Sequence, residues 1–283
     1  MKRFFKLLVS LAVYSADSFR AVMRSALGKT APGTCVVLYY HEVVESDRAR
    51  FGEQLDVIGR AATPVSALEL TSFAAGKKHV AITVDDAFVS FFNNGLPEIE
   101  RRKIPVLVFI PTGWIGRSVD WAMEEVMASQ TEKVAPLAEL KIHARHPLVR
   151  FGSHTVNHRK LSSLPEAEAL MELADSKKFI ERELGCLIET ISFPYGGFTA
   201  RDVKLAAQLG YNLFFTTTPE RVGENSNPGV VGRFRIDPSD WMIEVKLKAS
   251  GAYRWQSRVQ QWRARFRSHP VATAANVATV FPA

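Results

Sequence analysis

Seven short apolar runs, each stopping at a polar or turn residue, limit what this chain can fold into. They occupy residues 35–40, 79–84, 105–110, 148–152, 189–193, 213–217 and 230–236. β-Branched and aromatic residues dominate them, and most of the intervening stretches have helical spacing, so they read as strands alternating with helices. That alternation predicts an α/β fold with a parallel sheet. Its length suits a barrel of about seven strands better than an open sheet.

Between the strands, residues 50–70 read as mainly helical with an interruption at Pro64, and 88–102 as helix. A helix from about 200 to 209 should stop at Gly210. Ser163 and Glu166 have capping-box spacing, with Pro165 at an early helical position. The stretch 114–147 reads as a long irregular connection carrying Trp121, His143 and His146, both histidines being read as solvated. Cys35 and Cys186 are far apart and form neither a metal-type pair nor a disulfide framework. Cys35 is expected to be a small buried hydrophobe.

The polar residues cluster by position. His41, Asp85 with Asp86, His154 with His158, Pro194 with Tyr195, and Asp237 each sit just past the carboxyl end of an expected strand. In parallel α/β folds that rim is where ligands bind. Two adjacent carboxylates there are costly without partners, because desolvation disfavours their charged forms. Read alone, the second could simply cap the helix that follows.

His154 and His158 are four apart, so on a helical turn both imidazoles project to one side. Two imidazoles and one carboxylate make a three-ligand set of the kind that holds a catalytic zinc with a position left open. A metal on such a set activates water, and the remaining aspartate is then free to accept a proton as general base. A proton donor is also needed. His41 is placed for that by position and by the ordinary range of its imidazole, the alternative being a core histidine bonded to a carbonyl.

Three motifs in this order, Thr83-Val84-Asp85-Asp86, His154-Thr155-Val156-Asn157-His158 and Phe193-Pro194-Tyr195-Gly196, resemble the polysaccharide deacetylases of carbohydrate esterase family 4, the NodB-like deacetylases. The resemblance covers about Cys35 to Asp237. It implies a distorted (β/α) barrel of about seven parallel strands in a single catalytic domain, and metal-dependent removal of an N-acetyl or similar small acyl group from a sugar. On that match Asp85 is the base, and Asp86, His154 and His158 hold a divalent metal, usually zinc. The backbone N–H of Tyr195 helps stabilise the oxyanion. Pro194, Asp237 and Trp241 fall in the substrate-binding motifs, though Asp237-Pro238-Ser239-Asp240 also fits an ordinary turn.

Three departures stand out. Ala87 occupies the position of a family glycine, and Ser192 that of an arginine that orients the base. Arg233 and Arg235 on the last strand are candidates to replace it. The late Leu-x-His motif is missing, and Tyr40-His41-Glu42 resembles the rearranged order of exopolysaccharide-type members, whose catalytic histidine lies near the N-terminus.

The 283 residues carry 36 basic and 29 acidic side chains, a modest excess of +7, concentrated toward the two ends. Residues 1–30 combine Lys2, Arg3, Lys6, Arg20 and Arg24 with apolar positions. They read as an interfacial amphipathic helix in preference to a secretory signal. Residues 31–241 form the expected deacetylase domain. Residues 242–283 are a basic aromatic segment in which Trp255, Val259, Trp262 and Phe266 recur at helical spacing, suited to capping the barrel or meeting a membrane. No nucleic-acid-binding module is recognisable. The chain is therefore expected to deacetylate a cell-surface or extracellular polysaccharide or its lipid-linked precursor, peripherally attached to the cytoplasmic face of a membrane. An exported peptidoglycan- or chitin-type deacetylase and a non-catalytic sugar-binding relative are the alternatives, with a periplasmic or secreted location if the N-terminus is cleaved.

Overall fold

The structure, a computed structural model, describes residues 2–119, 121, 132–224 and 229–265, the last few of these partly as backbone alone. Its strands are β1 (Thr34–Tyr40), β2 (Thr63–Pro64), β3 (Lys78–Val84), β4 (Val106–Ile110), β5 (Val149–Ser153), β6 (Thr190–Ser192), β7 (Leu213–Phe215), β8 (Val230–Val231) and β9 (Arg233–Arg235). They pair in the order β8-β7-β6-β5-β4-β3-β1-β9, with β2 added beside β3, and every pairing is parallel.

All seven expected strand regions form. The count rises to nine because Thr63–Pro64 makes a two-residue strand and because residues 230–235 divide at Gly232. The first half of that segment pairs with β7 and the second with β1, so one stretch of chain joins the two edges of the sheet into the distorted barrel. A side chain at Gly232 would stand 2.5 Å from the Thr218 carbonyl oxygen and 3.0 Å from the Glu220 nitrogen.

The strands sort their side chains by the two-residue period. Cys35, Val37, Ala81, Leu107, Phe109, Phe215 and Val231 pack into one cluster inside the barrel. Val36, Leu38, Tyr40, Val80, Ile82 and Val84 face outward, into the larger core shared with the helices. On β3, Thr83 and Asp85 continue the parity of Ala81, so the first of the two aspartates follows the interior face.

The helices are α1 (Lys2–Ala26), α2 (Arg48–Ala61), α3 (Leu96–Arg102), α4 (Leu137–His143), α5 (Glu166–Leu184), α6 (Ala200–Gln208), α7 (Met242–Ala249) and α8 (Trp255–Arg265). Several depart from expectation. The segment 50–70 is helical only as far as Ala61, where the chain turns extended into β2 before Pro64. The connection 114–147 contains α4, and its histidines are packed: His143 stacks on Phe92 at 4.4 Å, and His146 Nε2 lies 2.9 Å from Glu100. Ser163 does not cap α5. Its hydroxyl donates to the Lys160 carbonyl within a 3₁₀ turn, and Pro165 takes the N-cap position. The capping box forms instead at α6, where Thr199 and Asp202 satisfy each other's backbone N–H groups.

Residues 2–26 form one helix, and α8 packs against it through a 2.9 Å bond from Trp255 Nε1 to Ser10 Oγ. Phe266 and the rest of 266–283 lie outside the described residues. Among the described residues no helix is long and apolar enough to cross a membrane.

Gly232→Val tests the closure. Crowding the Thr218 and Glu220 backbone should lower unfolding free energy by about 1–3 kcal/mol, read as a lower urea midpoint at unchanged m-value.

Candidate active site

A cleft at the carboxyl ends of the strands is lined by His41 (after β1), Asp85 and Asp86 (after β3), His154 and His158 (after β5), and Tyr195 (after β6). Tyr39, Trp121, Phe193, Thr217 and Arg235 complete it. Six strand-end residues separated by up to 154 positions therefore share one cavity.

Asp85 is built into an ion pair. Its two carboxylate oxygens accept from Nη1 and Nη2 of Arg233 at 2.7 and 2.8 Å. Arg233 is wholly buried, spends Nε on the Thr216 carbonyl at 3.1 Å and donates from Nη2 to Ser192 Oγ at 2.7 Å. The Tyr39 ring lies over its guanidinium at 4.5 Å. Burial alone would raise the Asp85 carboxyl, but the Arg233 charge overrides it and holds the group well below the usual carboxylate range. Ser192 stands where the family arginine is expected, and its hydroxyl bonds the guanidinium that arrives from β9. Arg233 thus supplies the missing cation. Arg235 instead pairs with Asp237 at 2.8 Å.

Asp86 has the opposite surroundings. Its Oδ1 is buried with no hydrogen-bond partner among the described residues, and burial with the neighbouring charges of Asp85 and Glu42 pushes its carboxyl far up. Nε2 of His154 lies 3.6 Å from that oxygen and Nε2 of His158 3.5 Å. Those separations are too long for good hydrogen bonds, and they leave room for a shared cation. Ligand atoms of all three residues fall within 4.8 Å of one another. Burial holds both imidazoles neutral, His158 down to about 2, as metal ligation requires. Nδ1 of His154 donates to the Ser192 carbonyl at 2.7 Å, which fixes the tautomer and aims Nε2 at Asp86. An orphaned buried carboxylate oxygen facing two neutral imidazoles fits a divalent metal. Asp86 does not act as a helix cap: the π-helical turn Phe91–Gly95 starts later, with Ser90 at its N-cap.

The histidines meet without a helical turn. Residues 154–158 form a bend in which Thr155 and His158 have φ of 65° and 55°. Glu172 of α5 pins it, its carboxylate accepting from the Val156 and Asn157 backbone N–H groups at 2.9 and 2.8 Å and from Asn157 Nδ2 at 2.7 Å. From the other side Thr112 N donates to the Thr155 carbonyl and Gly113 N to that of Val156. At Gly113 an added Cβ would come within 2.9 Å of the same Val156 oxygen.

Of the six non-glycine residues with positive φ among those described, five lie in the site loops: Asp86, Ala87, Thr155, His158 and Tyr195. Such backbone gathers at functional sites, where surrounding contacts over-determine it. It also explains the family's glycine after the second aspartate, since Ala87 sits at φ 50°.

His41 is half-buried at the cleft, and desolvation drives its imidazole to about 4, which the Asp85 charge only partly offsets. Its ring meets Tyr39 edge-on at 5.6 Å, and among the described residues no carbonyl bonds it. Tyr195, at φ 58°, sets its ring edge against His158 at 4.8 Å, while Trp121 stacks on that imidazole at 4.1 Å. Trp121 and Glu172 carried no site assignment in the sequence, because their partners are distant along the chain. Pro194 is buried in the turn before Tyr195. Asp237 and Trp241 are not among the lining residues. The Asp240 N–H donates to the Asp237 carbonyl in the turn, and Trp241 carries the Arg3 guanidinium over its ring at 4.4 Å.

Residues 74–214 match the family model for polysaccharide deacetylase, and the domain of this chain that carries the cleft belongs to that family. YxkH of Bacillus subtilis, named as a polysaccharide deacetylase, is 26% identical over 177 residues, 62% of this chain and 56% of that protein. The poly-beta-1,6-N-acetyl-D-glucosamine N-deacetylase of Staphylococcus aureus is 26% identical over 174 residues, 61% of this chain and 58% of its own length. The chain thus matches little more than half the length of these curated relatives. Among solved structures, IcaB from Ammonifex degensii superposes with a TM-score of 0.66 at 23% identity, covering 79% of this chain and 98% of that one. The Streptococcus pyogenes deacetylase PplD gives 0.62 at 21%, covering 81% and 98%. Both share the fold.

Arg233→Met should cost about 3–5 kcal/mol in chemical denaturation, because it strands a buried carboxylate. The double variant Arg233→Met/Asp85→Leu should recover much of that loss, exposing a coupling that independent sites would not show.

Proposed function

We propose that this protein is a metal-dependent N-deacetylase of an acetylated amino-sugar polysaccharide of the exopolysaccharide type. The observation that carries the reading is the division between two adjacent aspartates. Asp85 has a protein cation and stays ionised, whereas Asp86 has none and faces two neutral imidazoles.

Asp86, His154 and His158 would hold the metal, and their carboxylate-plus-two-imidazole donor set suits zinc. When bound, a divalent metal supplies Lewis-acid activation of water and of the acyl carbonyl. Asp85 accepts the proton of the attacking water. The Arg233 fork keeps its carboxylate ionised and fixes its orientation, so proton transfer needs no rearrangement of the base. The Tyr195 backbone, held left-handed by the turn that begins at Pro194, presents its N–H toward the developing oxyanion. His41 delivers a proton to the departing amine. Desolvation leaves this imidazole neutral beforehand, the Asp85 charge offsetting only part of it, so the proton that His41 delivers is one taken up during turnover. Hydrolysis of the amide bond thereby yields free acetate and an amino sugar.

The similarity to the Staphylococcus aureus enzyme supports a substrate rich in N-acetylglucosamine. Purified full chain loaded with Zn²⁺ should release acetate from N-acetylglucosamine oligomers, and a chelator should abolish the release. Asp85→Asn should lower kcat by three or more orders of magnitude with little change in bound metal, and His41→Ala by about 10²–10⁴. His154→Ala should lose the metal itself, measured by elemental analysis. Stoichiometric metal without acetate release from any amino-sugar polymer would overturn the deacetylase reading.

A further inference from the structure

We infer that the outward face of α1 is a docking surface for an anionic lipid bilayer, and that α1 rests on it as a fixed part of the domain. The argument starts from the inner face. Leu7 and Ser10 are buried. Nε of Arg3 donates to Glu244 Oε1 at 3.0 Å, and its Nη2 to the Ser239 carbonyl at 2.8 Å. Asp17 accepts from Arg221 and Arg254, at 2.8 Å each. Burial would raise the Asp17 carboxyl, but those two guanidinium groups hold it below its ordinary value. The helix is therefore clamped to the domain by two groups of polar contacts, fourteen residues apart.

At 100° per residue, Phe5, Leu8, Phe19 and Met23 fall on the side opposite those contacts. They are 63, 51, 66 and 45% exposed, and Phe4 and Val22, at 58 and 65%, extend the strip. Six large exposed apolar side chains on one side of a helix, three of them phenylalanines, mark an interaction surface. Along one flank run Lys2, Lys6, Arg20 and Arg24, all exposed. The helix has a single carboxylate, Asp17, which holds Arg221 and Arg254 at 2.8 Å on the inner side and lies 3.8 Å from Arg20. Apolar side chains beside four cations, with no acid facing outward, are complementary to acyl chains beneath phosphate headgroups. A protein partner would have to supply an apolar groove edged with acids. A bilayer supplies both elements along the whole length of a 25-residue helix.

The position suits the proposed substrate. Arg3 reaches Ser239 and Trp241 in the loop that follows β9, whose Arg235 lines the cleft. Docking α1 would set that rim near the surface where a membrane-attached glycan is found. The surface itself does not depend on the deacetylase reading, because binding can be measured without substrate.

The full chain should co-sediment with phosphatidylcholine vesicles containing about 30 mol% phosphatidylglycerol, and much less with phosphatidylcholine alone. Phe5→Glu/Phe19→Glu should cut the vesicle-bound fraction about tenfold, and Lys6→Glu/Arg24→Glu by a similar factor, relieved in the parent by high salt. All four positions point to solvent, so circular dichroism and thermal midpoint should match the parent. Indifference of binding to both double variants, or no binding to anionic vesicles, would overturn the proposal. So would a dimer in light scattering that Phe5→Glu/Phe19→Glu dissolves, which would give the face to a second copy of this chain. Cleavage of mature protein after α1 would remove the surface altogether.

Discussion

The fork between Arg233 and Asp85 is the contact through which the barrel and the site depend on each other. Arg233 belongs to the half-strand that closes the sheet onto β1, and its side chain points inward to the end of β3. On the way it holds the Thr216 carbonyl beyond β7, the Thr83 hydroxyl on β3 and the Ser192 hydroxyl on β6. Taking both charges out of water costs several kcal/mol per ion, and a hydrophobic pair of equal volume would often be as stable. The pair is therefore poorly explained as a stabilising device. It is well explained as a means of keeping one carboxylate ionised and oriented beside a neighbour that has no protein cation of its own.

That contrast separates two residues adjacent in sequence. Strand parity sends Asp85 to the barrel interior, where Arg233 waits. The positive φ at Asp86 turns the next side chain away from the guanidinium and toward His154 and His158. Giving two like groups opposite surroundings, a guanidinium for Asp85 and two neutral imidazoles for Asp86, assigns them different tasks. The strain needed to do so is held by ordinary contacts around it: Glu172 and Gly113 clamp the histidine bend, and Trp121 and Tyr195 bracket the His158 ring.

What could be read from the sequence follows the range of the interactions. Strands announce themselves locally, and so do polar residues at their ends, so the barrel, the rim and all six strand-end residues that line the cleft were legible. Ser163 misled, because a capping spacing does not reveal that the hydroxyl is already spent on the Lys160 carbonyl. The histidine pair was legible by spacing though not by geometry, since the bend depends on Glu172, fourteen residues further on. The replacement for the missing arginine could be narrowed to two residues on one strand. Parity cannot choose between Arg233 and Arg235, which share a face two residues apart; depth does, since Arg233 is wholly buried against Asp85 and Arg235, bordering the cleft, is paired with Asp237. Trp121 gave no local sign, because what places it in the cleft is its packing on the Trp114 and His158 rings.

The N-terminal helix shows the same coupling between frame and rim. Arg3 and Arg50 both bond carbonyls of the turn after β9, at Ser239 and at Asp240, so α1 and α2 brace the same loop. Gln54 adds a bond to the Asp237 carbonyl at 2.8 Å. The segment so braced begins two residues after Arg235 and four after Arg233. A displacement of α1 would thus reach the base of the cleft through a short, extended piece of chain in which each link is a hydrogen bond or a strand pairing. A helix that faces outward with aromatic rings and inward with salt bridges is consequently in a position to influence the rim that holds Asp85, without contacting it.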